Sequence, residues 1–532
     1  MTTQQTEVDL TQPGPGEKRS FPVFSKRNTT TATVLALLAW TVAVFDYGLF
    51  GTLLPAMQEE FGWTETEAYA LNTWIAVGTA VVCFGIGPVI DRLGRRKGMM
   101  ATIGGTAVVS GLTALIPTGI PFVSNALMVL IRSFGGLGFS EQAVNATYMN
   151  EVYQVTEVAD KRKRPGFHYS FIQGGWPLGF LLASALALVL LPSLGWRALY
   201  LVATVPAIII VWVIAKKLKE TPQFELHHKL TSLEKGGKSE EAHALAKSYG
   251  VEHSSAAPLK RIWEPHLRRN TIVFSLAWIF NFFGIMIFSI LGSSVLKNAK
   301  GVELSDAFWM LIVINMLAYF GYVFHGWLGD KIGRKRTIIG GWILSGISFT
   351  IMLSPLAESP FMIILTYGAG LFFLVGPYAA IQYFMAECYP VSCRATGTSF
   401  IGAMSQPGVI LGGALFTAAA AGAGTGAAAL WVGAAGTLFS GLLMIAAKPP
   451  VEALLEDHPH DVAYRQSGRH YRGSQRHRPR PRGQLRAPRR AIGDRNVPWR
   501  SARPRRNAAP GKGRRGRGRD SGGRRAQHRV GG

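Results

Sequence analysis

Long apolar runs separated by short polar stretches organise this chain. Twelve runs stand out, at residues 32–54, 68–90, 98–116, 125–148, 167–191, 196–215, 270–291, 307–328, 337–353, 361–385, 395–419 and 427–447. Each holds about 18 to 25 residues with almost no charge, the length an α-helix needs to cross a hydrocarbon core about 30 Å thick. They form two sets of six, divided by the polar stretch 216–269. The pattern predicts an all-α polytopic membrane protein with twelve transmembrane helices in two pseudo-symmetric six-helix bundles.

The polar stretches set orientation and domain limits. Arg and Lys cluster after even-numbered runs, at 92–97, 161–164, 216–219 and 331–336, whereas 58–67 and 354–359 are acidic or neutral. By the positive-inside rule both termini are expected in the cytoplasm, with the protein in the inner (cytoplasmic) membrane. Lys297 and Lys300 are exceptions to the charge pattern. The expected division is a disordered N-terminal tail at 1–31, a first bundle at 32–215, a cytoplasmic linker at 216–269, a second bundle at 270–447 and a cytoplasmic tail at 448–532. Helix-forming stretches lie around 233–248 of the linker. No cleavage-site pattern follows the polar start, so the first run is expected to be an uncleaved span.

Composition changes this picture in one place. The net charge is +25, with 48% hydrophobic and 16% charged residues. Most of the excess lies beyond residue 457, where 22 Arg accompany a single Lys among abundant Pro and Gly. Such a segment cannot bury enough apolar surface to fold. It reads either as a basic arm for RNA or anionic lipid or as an out-of-frame extension of a GC-rich gene, the second reading being preferred and no nucleic-acid partner expected. Three cysteines, Cys83, Cys388 and Cys393, make no disulfide framework. Nor does any Cys/His spacing fit a metal, and no G-x-x-x-x-G-K-[ST] phosphate loop is present. Neither cofactor nor metal is expected, and the chain is read as a non-enzyme.

One stretch occurs twice. Residues 87–97 read G-P-V-I-D-R-L-G-R-R-K and residues 326–336 read G-W-L-G-D-K-I-G-R-K-R, about 240 residues further on. Each joins two apolar runs through an Asp, a Gly and a basic cluster. This G-x-x-x-D-[RK]-x-G-R-[RK]-[KR] pattern resembles the major facilitator superfamily. Further segments, F-D-Y-G-L-F-G in the first run, I-R-S-F-G-G-L-G-F-S-E-Q-A-V in the fourth, K-E-T-P-Q-F after the sixth and A-E-C-Y-P-V-S-C-R-A-T-G after the tenth, resemble its metabolite:proton symporters, organic-acid transporters related to sugar porters. The likeness covers about 42–455. It departs at Ser140, where that family has the second Gly of G-G-E, and at Phe45-Asp46-Tyr47, where Tyr-Asp-Phe is usual.

Ionisable groups inside apolar runs are the functional candidates, because a charge in hydrocarbon costs several kcal/mol unless paired or hydrated. Asp46 and Arg132 lie about eight and seven residues from the outer ends of their runs, hence at matching depth, roughly 10 to 12 Å down. They are expected to meet. The resemblance assigns this pair to proton coupling; a static ion pair is the alternative. Glu141 matches the family's G-G-E glutamate and is either a second proton site or a carboxylate paired with a loop Arg. The resemblance further implies a cytoplasmic gate built from Gly87, Asp91, Arg92, Gly94, Arg95, Arg96, Glu151 and Arg164, with counterparts Asp330, Gly333, Arg334, Lys335, Glu387 and Arg394. In it Glu151 holds Arg95 and Arg96, and Glu387 holds Arg334 and Lys335.

Polar and aromatic groups within runs are the expected substrate contacts: Gln173, Trp176, Asn281, Asn315, Tyr319, Tyr378, Gln382 and Tyr383, with interhelical bonding as the alternative for each. His168 and His325 read as structural. The resulting expectation is a monomeric proton-coupled symporter of a small organic acid or related metabolite. A sugar:proton symporter is the alternative, weakened because W-I-F-N-F-F-G-I-M in the seventh run lacks Gln-Gln-x-x-Gly. A membrane sensor or nucleic-acid tether using the tail is the reading from another class.

Overall fold

The computed structural model describes residues 8–14, 16–156, 170–250, 258–389 and 391–448, without the side chains of 86–91, 258, 391, 392 and 395. Among these the secondary structure is helical apart from one isolated β-bridge, between Phe24 and Thr156. In chain order the helices are α1 (Lys26–Phe61), α2 (Glu65–Leu93), α3 (Arg95–Ala114), α4 (Pro121–Ser133), α5 (Gly136–Gln154), α6 (Gly175–Lys217), α7 (Pro222–Lys235), α8 (Ser239–Ser248) and α9 (Pro258–Arg261). Then come α10 (Arg268–Gly284), a π-turn (Ile285–Ile290), α11 (Gly292–Lys300), α12 (Leu304–Ile332), α13 (Arg334–Leu353), α14 (Pro360–Val375), α15 (Tyr378–Glu387), α16 (Val391–Ala403), α17 (Ser405–Ala428), a second π-turn (Ala429–Ala434) and α18 (Ala435–Ile445).

Nine helical runs among the described residues are long and apolar enough to cross a membrane. Two of them, Ser170–Lys217 and Thr396–Ile445, hold 48 and 50 residues, roughly 70 Å of helix, more than twice a bilayer's hydrocarbon thickness. Each folds back at a glycine with non-helical backbone, Gly195 (φ 71°) and Gly424 (φ 81°). Two arms apiece raise the nine runs to eleven, and α3, packed among them, supplies the twelfth element of the expected pattern. Exposed Trp74, Val81, Phe84, Phe122, Trp212 and Trp431 lie on the outside, as lipid requires and water would not tolerate over so wide a belt.

The two sets of helices repeat the same local devices. The turns between α2 and α3 and between α12 and α13 pass through Gly94 (φ 93°) and Gly333 (φ 95°), a conformation that side-chain-bearing residues rarely adopt. Corresponding helices are also both interrupted: α4 gives way to α5 at Phe134–Gly135, and α14 to α15 at Gly376–Pro377. Two glycines of the fifth run serve close packing. A Cβ on Gly175 would stand 2.6 Å from the Trp40 ring and one on Gly179 2.7 Å from the Phe45 nitrogen, so α6 lies directly against α1.

Several expected limits are corrected. The first run is part of a 36-residue helix that starts at Lys26, where Ser25 accepts from the Asn28 N–H, and stops at Gly62 (φ 71°). The N-terminal tail is not featureless. Phe24 donates its N–H to the Val155 carbonyl at 2.7 Å, Phe21 stacks on Tyr249 at 5.0 Å, and Arg19 binds Glu17 and the backbone of Asp9 and Thr11. Phe24 packs with the first bundle, whereas Phe21 and Arg19 meet the linker, whose own core includes Leu226, Leu230, Ala242, Leu245 and Tyr249. Helix in the linker begins earlier than 233, at Pro222, and pauses at Gly236–Gly237, where positive φ at Gly237 separates α7 from α8. Lys297 and Lys300 are not loop residues; they close the last turn of α11, where cations favour the helix dipole. The expected C-terminal tail lies outside the described residues apart from Lys448, as does the loop holding Arg164 and His168.

Candidate functional site

The structure brings Asp46 of α1 and Arg132 of α4 together in the membrane interior. Arg132 Nη1 is 3.6 Å from Asp46 Oδ2, and Nη2 donates to the Asp46 carbonyl at 3.1 Å. Both residues are 2% exposed. Ser110 of α3 donates its hydroxyl to Asp46 Oδ1, and the guanidinium lies over the Tyr200 ring, 5.3 Å from its centroid. Asp46 Oδ2 has no hydrogen-bond donor, and neither Arg132 Nε nor Nη1 has an acceptor. Such a pair is attractive in a low dielectric yet incompletely satisfied, so each charge depends on the other. With α1 continuing to Phe61, Asp46 is 15 residues, roughly 22 Å, from the helix end, the last part of which projects beyond the apolar run.

Arg132 forms part of the wall of a narrow cavity of about 20 Å³ lined also by Tyr47, Phe50, Gly51, Asn72, Ile75, Ala76, Thr79, Ile290 and Val409. That volume holds about one water and excludes an organic acid, so the structure is of a closed state at this level.

The expected substrate contacts divide into groups. Asn281, Tyr378 and the aromatic rings around them form one cluster: Tyr378 donates to Asn281 Oδ1 at 2.7 Å and packs 5.1 Å from the Trp278 ring. In the other half Trp176 packs 6.0 Å from Trp40 and 6.2 Å from Tyr47, and its indole N–H donates to Ser289 Oγ at 2.9 Å. Gln173 accepts from Gln142 at 3.1 Å. Asn315 donates to Leu311 of its own helix at 2.8 Å, Tyr319 meets the fifth run at Gly174, Gln382 is half-buried, and Tyr383 lies under the Arg334 guanidinium. None of the eight lines the closed cavity. Glu141 is fully buried and accepts from Asn145 Nδ2 at 3.1 Å; Asn145, one turn along, stands where a loop Arg was the alternative, and Glu141 Oε2 has no donor. Buried His325 holds the Gly321 carbonyl at 2.8 Å among Phe324, Phe372 and Phe373. Among the described residues no group of His, Cys, Asp and Glu could hold a metal.

At the hairpins the partners differ in part from expectation. Arg95 donates to Glu151 at 3.1 Å, and Thr221 donates to the same carboxylate. Arg96 instead binds the Ala215 carbonyl. In the second copy Arg334 meets Glu387 and is 3.7 Å from Asp330, whereas Lys335 donates to the carbonyls of Ile445 and Ala447, 2.9 and 2.6 Å away, at the end of α18. Arg394 donates to the Tyr389 carbonyl at 3.3 Å, and Arg92 is exposed. Gly87 falls within α2, and the side chain of Asp91 lies outside the described residues. Glu220, which the sequence reading passed over, accepts from the backbone N–H groups of Arg95 and Arg96 at 3.1 Å and caps α3 from the linker. Burial raises its carboxyl above the usual range despite those donors.

A family model described as Major Facilitator Superfamily matches residues 36–323 and, overlapping, 274–506. The chain belongs to the major facilitator superfamily. It is 24% identical over 395 residues to a niacin transporter of Acinetobacter baylyi, a match covering 70% of this chain and 83% of that protein. To a gentisate transporter of Corynebacterium glutamicum it is 25% identical over 386 residues, covering 70% and 79%. Among solved structures, the xylose transporter XylE of E. coli in a partially occluded inward-open conformation superposes with a TM-score of 0.60 at 17% identity, covering 80% of this chain and 99% of that one, a likeness of fold. This superfamily member is thus a transporter of small metabolites.

The sequence reading missed Ser110 and Tyr200, which complete the pair's surroundings, and Tyr47, Asn72 and Thr79 on the cavity wall. Ser and Thr inside apolar runs carry little signal, because many bond back to their own helix; Thr113 to Val109 at 2.7 Å is an example. Glu220 could have been found: a Glu just after a span and before Thr-Pro is well placed to meet a helix start.

Proposed function

We propose that this transporter is a proton-coupled symporter carrying a small organic acid, an aromatic monocarboxylate in particular, across the cytoplasmic membrane by alternating access. The observation that carries the reading is the buried Asp46–Arg132 pair, whose arginine forms part of the cavity wall. When Asp46 takes a proton, Arg132 loses its counter-charge and is left to receive the carboxylate of a substrate. One proton and one anion then travel together, and neither charge crosses the hydrocarbon unpaired. Niacin and gentisate, which the names of two relatives carry, are both ring-borne carboxylic acids. The aromatic walls around Trp176 and Tyr378 suit a planar ring. Glu141 stands as a second protonatable group. The hairpin ion pairs close the cytoplasmic side, where the basic clusters and both termini lie by the positive-inside rule. The working unit is one chain.

The test is uptake of radiolabelled nicotinate and gentisate into proteoliposomes with an imposed inward proton gradient. Wild type should accumulate one of them above equilibrium. Asp46→Asn, which mimics the protonated side chain permanently, should lose accumulation yet retain exchange of labelled for unlabelled substrate. Accumulation that survives intact in this variant removes Asp46 from the mechanism and leaves Glu141 as the next candidate.

A further inference from the structure

The halves of the transporter are joined at the end opposite the hairpins by a chain of hydrogen bonds whose direction is fixed. Thr425 of the second half donates its hydroxyl to Glu65 Oε2 at 2.7 Å, and that proton assignment leaves its oxygen as an acceptor. The Tyr69 hydroxyl, 3.1 Å away, is therefore the donor to Thr425. Tyr69 in turn accepts from Asn298 Nδ2 at 2.9 Å. The sequence Asn298→Tyr69→Thr425→Glu65 thus crosses between halves three times and ends on a carboxylate, which strengthens the links before it. Tyr69 is 1% exposed, and its ring packs against Phe416 at 4.9 Å, so three residues of the second half, from α11 and α17, meet one side chain of α2. Thr425 is delivered to this point by the fold-back at Gly424, and Asn298 by the last turn of α11.

The surroundings mark this as a closure and not ordinary core. Lys297, next to Asn298, is 2.5 Å from Glu59 at the end of α1. Ser293 of α11 donates to the Gly51 carbonyl at 3.0 Å, and Gly51 lies so close to the Ile290 carbonyl that a Cβ there would overlap it. Gly51 and Ile290 line the closed cavity, as does Ala76, two turns of α2 inward of Tyr69. A path from the cavity to that end must part these contacts.

We propose that the Tyr69 hydroxyl is the positioning group of a second gate, a polar latch that holds the transporter shut at the end opposite the hairpins. The latch rests on the transport reading; calling its side the outer one rests on the proposed orientation. Breaking the chain anywhere releases the same closure, so single losses should not add.

The test uses the full chain with Cys83, Cys388 and Cys393 replaced by Ser and Ala76→Cys as reporter, in right-side-out and inside-out membrane vesicles. The rate of modification by a membrane-impermeant maleimide is read from each side. Tyr69→Phe, which keeps the ring on Phe416, should raise labelling from the latch side about three- to tenfold, what loss of one or two neutral hydrogen bonds does to a two-state population, and lower it from the hairpin side. Thr425→Val should do the same, and the double variant no more than either. Asn298→Ala, at a less buried link, gives an independent reading should Tyr69→Phe fail to insert. Unchanged rates, or an equal rise from both sides, overturn the latch, since general loosening has no sidedness. An opposed change with the two sides exchanged overturns the orientation and leaves the latch standing.

Discussion

Gly94 and Gly333 occupy equivalent hairpins with nearly the same φ, 93° and 95°, but in different surroundings. A Cβ on Gly94 would stand 2.6 Å from Glu220 Oε2 and 2.7 Å from Phe224, whereas one on Gly333 meets nothing within 4 Å. Replacing either by Ala imposes backbone strain of about 1–3 kcal/mol. Only Gly94→Ala adds overpacking, about another 1–3 kcal/mol, because it drives Glu220 off the start of α3. The difference amounts to roughly 5- to 150-fold in the equilibrium between an intact and an opened hairpin. Thermal inactivation half-lives of the full chain in detergent, with initial uptake rates in proteoliposomes, should therefore rank Gly94→Ala well below Gly333→Ala. Coupling sharpens the test. Glu220→Ala should be costly in the wild-type background and nearly without further effect beside Gly94→Ala, since the cap is already displaced there. Equal losses at the two glycines, or additive losses for Gly94→Ala with Glu220→Ala, would refute the argument that the linker carboxylate locks the first hairpin.

Two further outcomes are expected. Asp330→Asn and Asp91→Asn should slow transport while leaving equilibrium substrate binding nearly intact, because Asp330 lies 3.7 Å from Arg334 at a hairpin and remote from the cavity residues; collapse of binding in a correctly inserted variant, measured by calorimetry, sinks the gate assignment. Truncation after Lys448 should leave uptake unchanged, since Asn270 accepts the Lys448 N–H at 2.8 Å and Lys335 grips the end of α18, anchoring the last helix without help from the Arg-rich segment; lost uptake at normal membrane abundance would give that segment a role.

The fold was legible because membrane helices are written in long apolar runs, and the duplicated hairpin exposed the two-part plan. What was blurred were the ends. Apolar length marks only the hydrocarbon-embedded part, so α1 extends beyond its run to Lys26 and Phe61 through polar residues that a cap and a left-handed glycine terminate. The deep pair was legible for the opposite reason: Asp46 and Arg132 are costly where they stand, so their presence announced a partner. Neutral hydroxyls cost far less, which is why Ser110, Tyr200 and the Tyr69 chain stayed silent in the sequence although they touch the same machinery.

The hairpins show where duplication stops carrying the argument. Repeat logic assigned Arg95 and Arg96 to Glu151, and Arg334 and Lys335 to Glu387. The first member of each set obeys: Arg95 takes Glu151, and Arg334 takes Glu387. The second member answers to whatever follows its own half. Behind Arg96 the chain continues into the linker, so its guanidinium meets Ala215 and its N–H is capped by Glu220. Behind Lys335 the last helix ends, and the ammonium meets the free carbonyls of Ile445 and Ala447, groups that need a cation or water. A carboxylate ties the first hairpin to a segment joining both halves, while Lys335 ties the second to the end of α18 in its own half. Motion of the linker therefore bears directly on the first hairpin through Glu220.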